Sequence, residues 1–375
     1  MIMLNHFYDD NVKMSRRETK RNVGIVMPLV NGILNYVHQR DKRCKIQPLN
    51  VGSYYSHLKV SRADEFDYSV VLDTPSLVWG SAVYTPAYYE FDENKQQVVK
   101  SSVPLPSPPV GKCFMSVNGI IEKWDQKRLN EGQSCLTVDD YLIPFKVKRR
   151  FKQLVSEAVN QLGIQRFVDA KRLSESPAAT LSISHPNIVE GYYVSVDLAP
   201  LIEAHLPFTQ EFGWPRSSAR WPSRRKIDQI KDYGIHTVAT NKLYWKFSFV
   251  SCEKELLKGI DINGTCRKKT QRIMKMLKES WCPKGKKQEL TSYHLKNILF
   301  WECEFHPHDS EWTDDQLARR IGSMCSLLVT RILDGNLPLY FHTEVNLFAS
   351  KDMDELRRVE GKISEFLLYP QKYLC

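Results

Sequence analysis

The chain has 375 residues, 42% hydrophobic and 26% charged, with a formal charge of +10. That balance fits a soluble globular protein of two compact lobes or one large domain, and no apolar run approaches the length of a membrane span. Nine scattered cysteines argue against a secreted disulfide framework, and "MIMLNHFYDDNVKMSRRETK" lacks the continuous apolar core of a secretory signal. Together they predict a reduced, cytoplasmic protein that binds no membrane.

In chain order, residues 8 to about 40 read as one long helix, with Val26, Leu29, Val30, Ile33 and Val37 on an apolar stripe and Arg/Lys opposite. Strand-like runs follow at "YSVVLD" (68–73), "SLVWGSAVY" (76–84) and "KCFMSV" (112–117), and the four prolines of "SSVPLPSPPVG" (101–111) predict a loop. "RRFKQLVSEAVNQL" (149–162) has helical spacing. "ATLSISH" (179–185) and "EGYYVSVDLAPLIE" (190–203) read as two strands joined by a Pro-Asn turn. Near "FGWPRSSARWP" (212–222) the character changes, and helical patterns dominate at 251–259, 266–280, 291–305, 313–334 and 352–367. The spacing therefore predicts a mixed α/β lobe over 1–212 and a helical lobe over 213–375.

Basic residues cluster at 13–21, 146–150, 220–226, 266–272 and 284–287, without matching acidic runs. A single such cluster is usually a solvated helix face, but the set points to a polyanionic partner, nucleic acid or nucleotide phosphates.

The chemistry concentrates in "NVGSYYSHLKVSRADEFDYSVVLD" (50–73). Gly52 permits close backbone approach to a ligand, and Ser53 offers a hydroxyl and an N–H to a phosphate. Twelve residues after Ser53, Glu65 and Asp67 alternate with Phe66 and Tyr68, which on a strand puts both carboxylates on one face. Hard oxygen ligands at this spacing suit Mg²⁺ held by carboxylates and substrate phosphates, the arrangement of metal-assisted phosphoryl transfer. "YYVSVDLAP" supplies a third carboxylate, Asp197, on the face of Ser195 and Tyr193 and placed to act on an incoming hydroxyl. The plain alternative is a surface strand with capping acids beside an ordinary turn.

"GSYYSHLKVSRADEFD" resembles the active-site segment of the male-abnormal-21 nucleotidyltransferase family, and within it the cyclic GMP-AMP synthase-like receptors. The likeness continues in "VSVDLAPLIE", "WKFSFVSCEKELL", "CRKKTQRIMKMLK", "SYHLKNILFWECEFHPHDSEW" and "EVNLF", over about residues 10 to 368. It implies an α+β fold: a polymerase-beta-like nucleotidyltransferase core with a long N-terminal spine helix, plus a C-terminal helical bundle lobe. It implies that Glu65, Asp67 and Asp197 hold catalytic Mg²⁺ or Mn²⁺, and that Gly52 and Ser53 meet ATP phosphate. Lys246, Ser248 and Glu253 become nucleotide contacts. Lys275, Ser292 and Lys296 become phosphate contacts, and Tyr293 a base-stacking aromatic. Read from spacing alone, Tyr293 is helix core and Lys275 a solvated lysine. Lys246 stands where the synthase carries arginine, and a lysine cannot make arginine's bidentate fork.

The resemblance further implies ATP and GTP as substrates of a cyclic GMP-AMP synthesis, a nucleic acid activator and a dimer formed on that ligand. In the vertebrate branch a His/Cys zinc insertion follows the "EKE" helix; here the interval is "LLKGIDINGT", so no structural zinc is expected and Cys252 and Cys266 read as free thiols. A receptor without that insertion is similar to invertebrate members, which implies double-stranded RNA read by its A-form shape through basic helices. "WPRSSARWP" is similar to the non-sensing branch, which keeps a second expectation open: a binding or scaffold protein without turnover.

Overall fold

The computed structural model describes the chain apart from residues 1, 73–81, 84–86, 117–134, 140, 172–175, 189–191, 283–286 and 375, and the side chains of 82, 83 and 171. Most of the strand expected at 76–84 and most of the basic run 284–287 lie outside the described residues.

The N-terminal helix starts at Arg16 and runs to Arg40, because the Ser15 hydroxyl accepts the Glu18 amide at 3.3 Å and caps it. Val26, Val30, Ile33 and Val37 are buried on its inner stripe against the helix Pro144–Gln161. The single helix expected over residues 8 to 40 is thus divided: Ile2–Phe7 and a π-turn over Tyr8–Val12 form a separate piece, with extended backbone at Lys13. A serine with free backbone N–H groups ahead of it competes for the chain, and an apolar stripe does not register that break.

A mixed sheet forms the centre. Its strands run in the order Leu49–Val51, Glu65–Val71, Val194–Leu206, Ile235–Val238, Trp245–Ser248, Lys112–Met115 and Ala82–Val83. Ala179–Ile183 pairs with the first half of Val194–Leu206 and carries Val168–Lys171 on its outer edge. The 194–206 strand alternates as its sequence demands: Val194, Val196 and Leu198 are buried, while Ser195, Asp197 and Ala199 are half-buried on the other face. Two strands of this sheet, Ile235–Val238 and Trp245–Ser248, come after residue 212, so the sheet continues past the division expected there. Helices dominate only from Val250 on.

The C-terminal helices are Val250–Leu257, Arg267–Trp281, Ser292–Phe305, Leu317–Leu333 and Met353–Leu368. One continuous core joins them to the sheet. The "WPRSSARWP" segment is a seam in that core. Trp214 lies 5.0 Å from the Phe341 ring, and the Arg216 guanidinium forks onto Glu304 at 2.5 and 2.6 Å. The guanidinium also packs against the Trp301 and Tyr340 rings, 4.4 and 4.5 Å from their centroids. No helix among the described residues is long and apolar enough to cross a membrane.

Candidate active site

Strand register brings the three acids together. Glu65–Val71 and Val194–Leu206 run parallel, pairing Glu65 with Ser195 and Asp67 with Asp197. Paired residues share a face, so Glu65, Asp67 and Asp197 project from the same side of two neighbouring strands. On the outer neighbour, Val51 pairs with Asp67, and the chain turns at once into the short helix Gly52–Tyr55. Gly52 has φ +75°, and a Cβ there would lie 1.8 Å from Asp67 Oδ2. Only glycine fits both the left-handed backbone and the close approach.

The cluster is electrostatically costly. Burial, then the charges of Glu65 and Asp197, push the Asp67 carboxyl up to about 7, against the opposing pull of Lys59 and Lys275. Lys59 donates to Glu65 Oε2 at 2.7 Å and lies 3.0 Å from Asp64 Oδ1. Thr180, on the strand beside Asp197, donates to Asp197 Oδ1 at 2.6 Å. Neither Lys59 nor Thr180 stands out in the sequence; the alternation of "ATLSISH" against "YYVSVD" carries the only signal for Thr180. Among the described residues no group of three or more His, Cys, Asp or Glu side chains is arranged to hold a metal ion. The donor chemistry nonetheless fits a hard divalent cation. Three carboxylates on one face, with Asp67 short of compensating charge, match a site that shares its ion with substrate phosphates rather than enclosing it.

Across the 52–64 loop, the chain builds a cavity of about 130 Å³ lined by Gly52, Ser53, Lys275, Ser292, Tyr293 and Lys296, with Gln271 at its wall. Six of the residues assigned by resemblance therefore meet in one place. Lys275 is buried on the helix Arg267–Trp281 and donates to the Leu58 carbonyl at 2.9 Å. Burial, then Lys59, lower its ammonium to about 8. Ser292 opens the helix Ser292–Phe305, so its N–H belongs to a helix N-terminus that favours anions. Lys296 pairs with buried Glu253 and lies 4.8 Å from the half-buried Tyr293 ring. Lys246 and Ser248 stand apart from this cavity, on the face of the Trp245–Ser248 strand opposite buried Trp245 and Phe247.

A larger cavity, about 560 Å³, is lined in part by Asn50, Val51 and Ser56. His57, Lys254, Lys258 and Lys268 line it against one carboxylate, Glu255, giving it a basic character. The basic side chains of the run 146–150 are largely engaged within the chain, although Arg149 is exposed. Lys146 donates to the Thr137 carbonyl at 2.9 Å, Arg149 to the Gln96 carbonyl at 3.1 Å, and Arg150 lies 3.7 Å from Asp41. Cys252 and Cys266 are buried free thiols.

Residues 54–259 match the Mab-21 protein nucleotidyltransferase domain, and residues 266–365 match the Mab-21 protein HhH/H2TH-like domain. Protein mab-21-like 3 of Danio rerio is 30% identical over 240 residues, 64% of this chain and 60% of that protein. Protein mab-21-like 3 of Xenopus laevis is 25% identical over 98% of this chain and 95% of its own length. Cyclic GMP-AMP synthase of Mus musculus is 24% identical over 96% of this chain and 66% of its own length. With the glycine turn and the three acids carried on this sheet, the chain belongs to the Mab-21 family of nucleotidyltransferase-domain proteins.

Proposed function

We propose that the chain is a divalent-metal-dependent nucleotidyltransferase that joins ATP and GTP into cyclic GMP-AMP, releasing one pyrophosphate for each phosphodiester bond formed. The observation that carries this reading is the packing of Gly52 against Asp67. It sets a phosphate-sized cavity beside three in-register carboxylates. Glu65, Asp67 and Asp197 would hold Mg²⁺ or Mn²⁺, which when bound neutralises charge on the transferring phosphoryl group. The chain's own groups do the remainder. Ser53, Ser292, Lys275 and Lys296 bind and orient the donor triphosphate, and Tyr293 offers a face to a base. Asp197, held by Thr180, accepts a hydrogen bond from the incoming hydroxyl. Double-stranded RNA on the basic surface around His57, Lys254 and Lys268 would act through the adjoining loop. The reading places the chain with the cyclic GMP-AMP synthase-like receptors.

A second reading, a nucleotide-binding scaffold without turnover, is favoured by the engagement of Glu65 with Lys59 and by the absence of a converged three-ligand group among the described residues. Incubation of pure protein with labelled ATP and GTP, Mg²⁺ or Mn²⁺, and a panel of nucleic acids separates the two. A cyclic product lost in Asp67→Ala supports the enzyme. No product with any nucleic acid, and nucleotide binding indifferent to Asp67→Ala, supports the scaffold.

A further inference from the structure

The sheet carries a second charged feature on the face of the acids. Trp245–Ser248 and Lys112–Met115 are antiparallel neighbours, and their register sets Lys246 directly opposite Lys112. The ladder fixes which way both point. Lys246 pairs with Val238, Val238 with Leu201, and Leu201 with Val71, four residues along from Asp67 on the same strand. Residues paired across strands share a face, and residues an even number apart on one strand share it too. Lys112 and Lys246 therefore project from the side that carries Asp67 and Asp197. Ordinary strand spacings put them about 20 Å from the acids.

Directly opposed like charges on neighbouring strands disfavour the fold. Here the repulsion registers in Lys246, whose ammonium is lowered by burial and next by Lys112, with only Glu253 opposing. That carboxylate is already paired with Lys296. Among the described residues neither Lys112 nor Lys246 has a side-chain hydrogen bond or an ion pair. Protein atoms crowd the Lys246 ammonium and strip part of its hydration, yet the residue as a whole is exposed and Lys112 is half-buried, so a ligand can reach both.

We propose that Lys112 and Lys246 form a second phosphate subsite, which takes the 5′-polyphosphate of the acceptor nucleotide. This rests on the nucleotidyltransferase reading above. A nucleotide that presents a ribose hydroxyl to the acids must carry its own 5′-phosphates away from them, and the pair stands at that far end of the face. A phosphate also removes the mutual repulsion of two ammonium groups, which a neutral base edge does only weakly. Sequence patterning passes over Lys112 because it lies more than 130 residues from Lys246, and only strand pairing joins them.

The test uses the full chain carrying Lys275→Gln, which weakens the other phosphate cavity, with and without Lys112→Gln. Calorimetric titrations with tripolyphosphate, GTP and guanosine are read beside the melting temperature of the ligand-free protein. The subsite predicts that Lys112→Gln weakens tripolyphosphate and GTP about tenfold. Guanosine affinity should stay unchanged, and Lys112→Arg should retain phosphate binding. The ligand-free melting temperature should hold or rise, whereas a merely structural lysine would lower it. Unchanged tripolyphosphate affinity overturns the proposal, and so does an equal loss of guanosine, which would mean that the pair reads a base. Activity separates this inference from its premise. A chain that binds tripolyphosphate through Lys112 yet transfers no nucleotide sinks the enzyme and leaves the subsite. Undiminished turnover at an unchanged GTP KM in Lys112→Gln alone does the reverse.

Discussion

The two sides of the cleft are built by different means. The acids are held by a sheet ladder: Asp67 has Val51 on one side and Asp197 on the other, and seven consecutive residue pairs fix the parallel register. The phosphate side is held by side chains from distant segments converging on the 52–64 loop. Lys275 donates to the Leu58 carbonyl at 2.9 Å, Ser61 N–H to the Val12 carbonyl at 3.2 Å, and Arg62 to Glu18 at 2.9 Å. Asn22 adds a bond to the Ala63 carbonyl at 2.9 Å. His57 and Ser61, neither of them glycine, sit at φ 59° in this loop. A ladder cannot slip without flipping every side chain, whereas a loop tied by a few long-range bonds can change state. On the proposed function, the chemistry sits on the rigid side, and control belongs to the loop with its ties to the N-terminal helix and the basic helix Arg267–Trp281.

The sharpest way to break this contrast is Gly52→Ala, where the two sides meet. The new Cβ collides with Asp67 and forces an unfavourable φ, so turnover should fall roughly 100-fold or more. Stability should drop by about 1–3 kcal/mol, read by urea unfolding. Next comes Lys275→Gln on the loop side, which should raise the KM for the donor triphosphate roughly 10- to 100-fold, read in steady-state kinetics.

Acid should act on the scaffold behind both sides. Burial lowers His236 and His294 to about 4 from 6.5, and the His294 ring accepts the Thr291 amide at 3.1 Å, as only a neutral imidazole can. Both remain neutral in the folded chain while the unfolded chain takes up protons below about 6.5. Their contribution is complete above that pH and is lost as pH falls towards 4. At pH 5 each should cost about 2 kcal/mol, and His236→Gln should flatten the fall in melting temperature between pH 7 and 5. The smallest effect has the opposite sign. Asp67 is raised in the folded state, so its ionisation destabilises increasingly from about pH 4 to about 7. Asp67→Asn should therefore stabilise the metal-free protein at pH 8 by on the order of 1 kcal/mol, discounted for a half-buried group, and by less at pH 5.

The acids and most of the later helices were legible because their signals are local. An acid–hydrophobe–acid alternation at 65–67 and 3.6-residue stripes from Val250 onward need no knowledge of distant partners. What escaped depends on pairing. "IHTV" and "WKFS" are too short to announce strands, and they become strands because the long 194–206 strand and the 112–115 strand flank them. This is why the sheet runs past residue 212. Lys59, Thr180 and Lys112 gain meaning only from what lies opposite them. Gly52 was legible as a close-approach glycine, but its neighbour proves to be the Asp67 carboxylate.

The measurement that bears most directly on the central claim is transfer of α-phosphate label from ATP in the presence of GTP, Mg²⁺ or Mn²⁺ and double-stranded RNA, by the wild-type chain and by Asp67→Ala. A labelled cyclic dinucleotide from the wild type, reduced at least about a thousandfold in the variant, is the predicted result. Equal product from both, or none from a folded wild-type chain with any nucleic acid, would contradict it.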